Sequence, residues 1–146
     1  MLEPEAVLLA VDPGETTGYA VFLGSGKCVA CGQTPTPTVG AGTSVFERLM
    51  DEHKPTRVVC EEYRVYGWRT RQHAWSELHT PQLIGALRAI AAQRGIPVVL
   101  QGAGLAKGFV SDAKLRAWGL YRSGMRHAMD AVRHACYYLL FGRKKK

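Results

Sequence analysis

The sequence predicts a single α/β domain: a five-stranded mixed sheet flanked by helices. Three observations predict it. The chain has 146 residues, the size of one ordinary domain. Its composition, 47% apolar and 21% charged, is globular and excludes disordered, collagen-like and low-complexity classes. A hairpin-linked run of strand-like segments comes first, then strands alternating with helical periodicity, so one sheet must hold antiparallel and parallel pairs.

The elements follow in order. Ala6–Val11 is an apolar strand that ends at Asp12, and residues 13–18 (Pro-Gly-Glu-Thr-Thr-Gly) have turn composition. Tyr19–Leu23 and Lys27–Gln33 read as strands joined across Gly24-Ser25-Gly26. Residues 34–42, with Pro35 and Pro37, read as a loop. Thr43 or Ser44 is then expected to cap a helix reaching about Glu52, with Ser44 and Glu47 at capping-box spacing. Thr56–Glu61 is a short strand of the fully buried type, ending in acid. Thr80-Pro81 opens a helix Gln82–Arg94 with Leu83, Ile84, Leu87, Ile90 and Ala91 on one face, stopped by Gly95. Ile96–Leu100 is the fifth strand, and residues 102–108 read as a glycine-rich loop. Ser111 caps a short helix Asp112–Trp118, and a last helix spans about Arg126–Leu140. The order is β-β-β-α-β-α-β-α-α.

Charge narrows the partner. The net charge is +7, yet residues 1–106 carry 9 basic and 10 acidic side chains. Residues 107–146 carry 10 basic side chains against Asp112 and Asp130 alone. A basic segment on an otherwise neutral domain points to a polyanion, most often nucleic acid. No apolar run approaches the roughly 18 residues of a membrane span, so no membrane partner is expected. The start, Met1–Glu5, is acidic and has no signal-peptide pattern, so the cytoplasm is the expected compartment. Disulfides are not expected there. Cys28 and Cys31 have the CxxC form, but no second pair follows. In a regular strand, residues three apart face opposite ways, so structural zinc is not expected either. Cys60 and Cys136 lie in apolar runs and read as packing residues.

Acids placed at the ends of apolar strands carry the functional signal. Asp12 and Glu61 both end such strands, where an unpaired carboxylate is costly to bury. In the last helix, at about 100° per residue, His127, Asp130, Ala131 and His134 share one face. Ala128, Val132, Ala135, Cys136 and Leu139 form a second, apolar face on which that helix can dock. Clustered carboxylates repel one another, and divalent cations relieve the repulsion. Oxygen-rich sets favour Mg²⁺ or Mn²⁺ over zinc. Two such ions activate a water and stabilise the leaving oxygen of a phosphodiester. Asp12, Glu61, His127 and Asp130 therefore have the residue types for phosphodiester hydrolysis. The same residues would also serve as surface ion pairs, a turn cap and a helix cap.

Residues 8–14 (Leu-Leu-Ala-Val-Asp-Pro-Gly), continuing to Thr17-Gly18-Tyr19-Ala20, resemble the opening strand and turn of the RuvC family of Holliday junction resolvases. Residues 58–63 (Val-Val-Cys-Glu-Glu-Tyr) resemble that family's second acidic strand. Residues 127–131 (His-Ala-Met-Asp-Ala), with His134-Ala135, resemble its C-terminal HxxDA helix. The compact length and Phe109–Gly119 are most similar to the bacteriophage type, particularly that of actinobacterial hosts, for which the host cytoplasm is the expected compartment. The resemblance implies a ribonuclease-H-like nuclease domain over residues 1–142 with a basic tail at 143–146. It implies a homodimer making paired nicks in branched DNA (Holliday junctions, forks, flaps) with two Mg²⁺ per site, Mn²⁺ substituting. Asp12 would bridge both metals, Glu61 would hold one and Asp130 the other. His127 would ligate metal or orient the water. Glu61 matches the family's acid; Glu62, on the opposite strand face, is the alternative. His134, two turns or roughly 10 Å from His127, is expected to be structural or phosphate-facing rather than a ligand.

Residues 63–75 interleave aromatics with arginines, which suits stacking on unpaired bases and contact with phosphates. Tyr63 and Trp75 are expected to pack, and Tyr66, Trp68, Arg69 and Arg71 to face DNA. Lys107, Lys114 and Arg126 are further DNA-binding candidates, with Lys107 the stronger of the two lysines. Residues 102–108 do not match GxxxxGK[ST], so no nucleotide cofactor is expected. The helix Gln82–Arg94, with Gly85 and Ala86, would either supply a dimer interface or only pack on the sheet. The rivals are a flap, fork or RNA-processing nuclease of the same fold and a nonenzymatic branched-DNA binder. An actin-like or sugar-kinase ATPase is not expected, since a single domain of 146 residues has no room for the second lobe.

Overall fold

The computed structural model of the chain describes residues 2–63 and 75–142, with the backbone alone for 75–77. Five strands form one sheet: β1 (Val7–Asp12), β2 (Thr16–Leu23), β3 (Cys28–Pro35), β4 (Arg57–Glu61) and β5 (Val98–Gln101). Their order is β3-β2-β1-β4-β5. The hairpins β1/β2 and β2/β3 are antiparallel, whereas β4 pairs in parallel with β1 and with β5. The helices are α1 (Val39–His53), α2 (Trp75–Gln93), α3 (Ala103–Phe109), α4 (Asp112–Ala117) and α5 (Arg126–Phe141). The mixed sheet and the element order are those expected, with one helix added.

Strand alternation divides the interior into two layers. Leu9, Val11, Val58 and Cys60 face α1 and α2 and join Phe46, Leu49, Leu83 and Leu87 in one core. Leu8, Ala10, Ala20 and Val59 face the other way and join Ala128, Val132 and Ala135 of α5 in the second. By the same parity, Asp12, Glu61 and Gln101 point to the α5 side. The parallel registers Val11↔Cys60 and Glu61↔Gln101 set these three residues in one row across β1, β4 and β5. Among the described residues, no helix is long and apolar enough to cross a membrane.

Four local expectations need correction. First, α1 begins at Val39, not near Ser44, because the Thr38 side chain accepts from Ala41 N (3.0 Å) and caps the helix earlier. Gly42 lies within that helix, where a Cβ would stand 2.3 Å from Leu83 Cδ2 and would displace that side chain at the α1–α2 contact. Second, α2 begins at Trp75 and runs through Pro81, which forgoes one ladder bond. His79 Nε2, hydrogen-bonded to Thr36 O at 2.7 Å, ties this first half of α2 to the chain after β3. Third, residues 103–109 are helical despite their glycines. Ala106 is fully buried and anchors the turn. Fourth, Cys28 and Cys31 share a face. The register shift opposite Val21/Phe22 leaves Val29 as an extra, exposed residue, so both thiols pack toward the α5 core. Burial and the neighbouring Cys31 push the Cys28 thiol up to about 11, that of a packing residue.

The apolar stripe of α2 (Leu83, Ile84, Leu87, Ile90 and Ala91) is buried within the chain against α1 and the sheet. That stripe packs the domain, while Gly85 on the same helix is exposed.

Candidate active site

The site sits where the sheet row meets the first two turns of α5. Gly18, paired with Asp12, makes this approach feasible: a Cβ there would stand 1.9 Å from the His127 carbonyl oxygen. The open first turn of α5 is closed by Gln33. Its side-chain Oε1 accepts from His127 N (3.1 Å) and Ala128 N (3.2 Å), satisfying two of the helix's otherwise orphaned donors. On the other side of Asp12, the turn is fixed by two buried threonines. Thr36 Oγ1 donates to Gly14 O (2.5 Å), so the Thr17 hydroxyl, 2.6 Å away, must donate to Thr36 Oγ1.

Asp12, Glu61 and Asp130 converge as the sequence predicted. Burial, then the charges of Glu61 and Asp130, push the Asp12 carboxyl up to about 8, against the opposing pull of Lys107. A hydrogen bond to Glu61 adds to the rise. Burial alone would raise Glu61 too, but it is outweighed. His134 and Lys107 hold its pKa below the usual carboxylate range. His134 Nε2 lies 2.9 Å from Glu61 Oε1, and Lys107 Nζ lies 3.2 Å from the same oxygen. Lys107 Nζ is also 3.7 Å from Asp130 Oδ2. This geometry makes Glu61 a member of the cluster.

Arg133 frames the site. Its guanidinium donates to Asp130 Oδ1 (3.1 Å), to Asp112 and to Val110 O (2.8 Å), joining α5 to the α3–α4 region. Sequence reasoning missed Arg133, Gln33 and Gln101. Gln101 carried the same signal as the acids, a polar residue ending an apolar strand. Gln33 carried none, because its partners lie more than ninety residues further along the chain.

A cleft of about 920 Å³ opens beside the carboxylates. Asp12, Asp130, His127 and Lys107 line it, and Arg122 and Arg126 stand among its walls. Lys114, by contrast, turns away: its ammonium donates to Phe109 O (2.8 Å) and lies over the Phe109 ring. His134 is fully buried, with no surface on the cleft. Tyr63 is partly buried against the α1–α2 core, as expected. Tyr66, Trp68, Arg69, Arg71 and the tail at 143–146 lie outside the described residues, as does the side chain of Trp75.

The donor set suits a hard cation. Three carboxylates share one corner, and burial together with the charges of the other two pushes Asp12 up to about 8. Among the described residues, no three His, Cys, Asp or Glu side chains close into a finished metal cage. The Lys107 ammonium instead stands between Glu61 and Asp130 and compensates part of their charge. In their chemistry the residues fit a divalent, oxygen-seeking ion.

No protein-family model matches the chain, and no curated protein matches it by sequence. Solved structures do. Thermus thermophilus RuvC bound to a Holliday junction substrate superposes with a TM-score of 0.78 at 18% identity, covering 96% of each chain. A second T. thermophilus RuvC structure gives 0.72 at 21% identity, over 94% of this chain and 96% of that one. The yeast mitochondrial Holliday junction resolvase Ydc2 gives 0.60 at 14% identity, over 95% and 80%. The chain therefore shares the ribonuclease-H-like fold of these structures, a five-stranded mixed sheet flanked by helices. Its structural neighbours are, in particular, RuvC and other Holliday junction resolvases.

Proposed function

We propose that the protein is a Mg²⁺-dependent endonuclease that resolves Holliday junctions and related branched DNA, acting as a homodimer that makes paired nicks. One observation carries this reading: Asp12, Glu61 and Asp130 meet where the carboxyl ends of β1 and β4 lie under α5, and burial, then the charges of Glu61 and Asp130, push Asp12 up to about 8. A crowded set of carboxylates at one corner is poor structural design and good cation chemistry. The likeness to resolvases over nearly the whole chain supports the choice of substrate.

Asp12, Glu61 and Asp130 would hold the metal ions, with His127 at the cleft wall beside them. Bound there, two divalent ions would supply an activated water and stabilise the leaving oxygen. The chain's own groups do the rest. Glu61 is kept ionised by its two donors. Arg133 holds one oxygen of Asp130 and so fixes the other toward Lys107. Lys107, once its acids are compensated otherwise, presents its ammonium to a phosphate in the cleft. Arg122 and Arg126 extend the cationic wall and add sequence-independent, salt-sensitive affinity. A two-fold junction calls for two such sites, which a two-fold dimer provides.

The test compares four-way junctions, forks, flaps and linear duplex as substrates with Mg²⁺, for the wild type and for Asp12→Asn, Glu61→Gln and Asp130→Asn. Symmetric nicking of the four-way junction, lost in each variant while junction binding persists, is the expected result. Undiminished nicking by Asp12→Asn would overturn the reading. Binding without cleavage by the wild type would favour the nonenzymatic alternative.

A further inference from the structure

Gln101 and His134 form a buried polar contact directly behind Glu61. His134 is fully buried, and Gln101 is only 6% exposed. The Gln101 side-chain Nε2 lies 3.1 Å from the His134 backbone oxygen and 3.0 Å from its ring Nδ1. A carbonyl oxygen only accepts, so the atom facing it must be the amide nitrogen. That nitrogen has a second N–H, and it points at Nδ1. Nδ1 must therefore accept, and the ring proton resides on Nε2. Nε2–H then donates to Glu61 Oε1 at 2.9 Å. The chain Gln101→His134→Glu61 has one direction of donation throughout.

We infer that the Gln101–His134 pair is a positioning relay that locks the Glu61 carboxylate in place with an uncharged donor, so that Glu61 keeps its full charge for a cation. This rests on the metal-dependent nuclease reading above. A lysine or arginine at position 134 would hold Glu61 equally well but would neutralise it permanently. Lys107 also neutralises it, but from an exposed position from which it can leave, with 42% of its side chain accessible. His134 cannot leave, because it is fully buried where α5 packs on the sheet. The relay also explains why Gln101 shares the sheet row with Glu61: β5 is in register with β4 at these two residues, so one backbone spacing sets both ends. Orienting partners of this kind change metal affinity by about 10–100-fold in other sites.

The experiment uses the full chain. Long-range ¹H–¹⁵N spectra of the metal-free wild type should show His134 as the pure Nε2–H tautomer, and Gln101→Leu should lose that purity. Calorimetric titration with Mn²⁺ should show affinity weakened about 10–100-fold in both Gln101→Leu and His134→Phe. His134→Gln, which retains an N–H donor, should recover part of it. Junction affinity in EDTA should stay within about twofold of wild type, as expected for residues acting through Glu61 alone. A wild-type His134 protonated on Nδ1, or Mn²⁺ affinity unchanged in Gln101→Leu, would overturn the inference. Failure of the nuclease reading looks different. The wild type itself would then neither bind Mn²⁺ nor cut junctions, and the tautomer spectra would still decide whether the relay exists.

Discussion

Replacing Asp12 with Asn should stabilise the metal-free protein while abolishing its activity. Asp12 is only 8% exposed, and its carboxyl is pushed from 3.8 up to about 8 by burial and by Glu61 and Asp130. The folded state therefore holds a proton that the unfolded state has released. That contribution is fully present below about pH 4 and is lost as pH rises through 8, so ionising the site weighs on stability across this window. At about 1.4 kcal/mol per pKa unit the bound is about 5–6 kcal/mol. Sharing of the proton with Glu61 and local relaxation bring the expected gain for Asn to about 1–3 kcal/mol at pH 8. For a chain of this size that is a rise in Tm of roughly 3–10 °C. Thermal melts in EDTA at pH 4 and pH 8 measure it. The variant should exceed wild type at pH 8 and match it near pH 4, and Mg²⁺ should raise wild type alone. Equal or lower stability of Asp12→Asn at pH 8 would refute the charge-crowding account.

Three further outcomes follow from the geometry. Gly18→Ala should cost at least about 3 kcal/mol, because its Cβ would meet the His127 carbonyl oxygen at 1.9 Å; urea unfolding checks it, and a loss below 1 kcal/mol would contradict the close approach of α5. Gln33→Ala removes the cap on His127 N and Ala128 N and should lower stability by about 1 kcal/mol, read by the same unfolding curves. Lys107→Met removes the cation between Glu61 and Asp130 and should reduce single-turnover junction cleavage about 10–100-fold without weakening Mg²⁺ binding, measured by calorimetry.

The legible part of this protein is the part written in local pattern. Asp12 and Glu61 end apolar strands, and Asp130 lies one turn into an amphipathic helix, so each announced itself within a few residues. Strand parity then placed Asp12 and Glu61 on the α5 side. What stayed hidden depended on distant partners or on tertiary override. Gln33 caps a helix far along the chain, and Arg133 looked like any solvated arginine until Asp112 and Val110 came to meet it. Glycines suggested a loop over residues 102–108, yet Ala106 is buried and the segment is helical, which places Lys107 at the acids. Pro81 suggested a helix start, but a His79–Thr36 contact anchors the turns before it. A single bulged residue, Val29, reversed the expected facing of Cys28 and Cys31.

The most direct measurement is anomalous diffraction at the manganese edge from crystals of the full chain grown with Mn²⁺. Two anomalous peaks coordinated by Asp12, Glu61 and Asp130, with Lys107 withdrawn from between its acids, are the predicted result. Peaks elsewhere, or density at this corner explained by the Lys107 ammonium alone at saturating Mn²⁺, would contradict it.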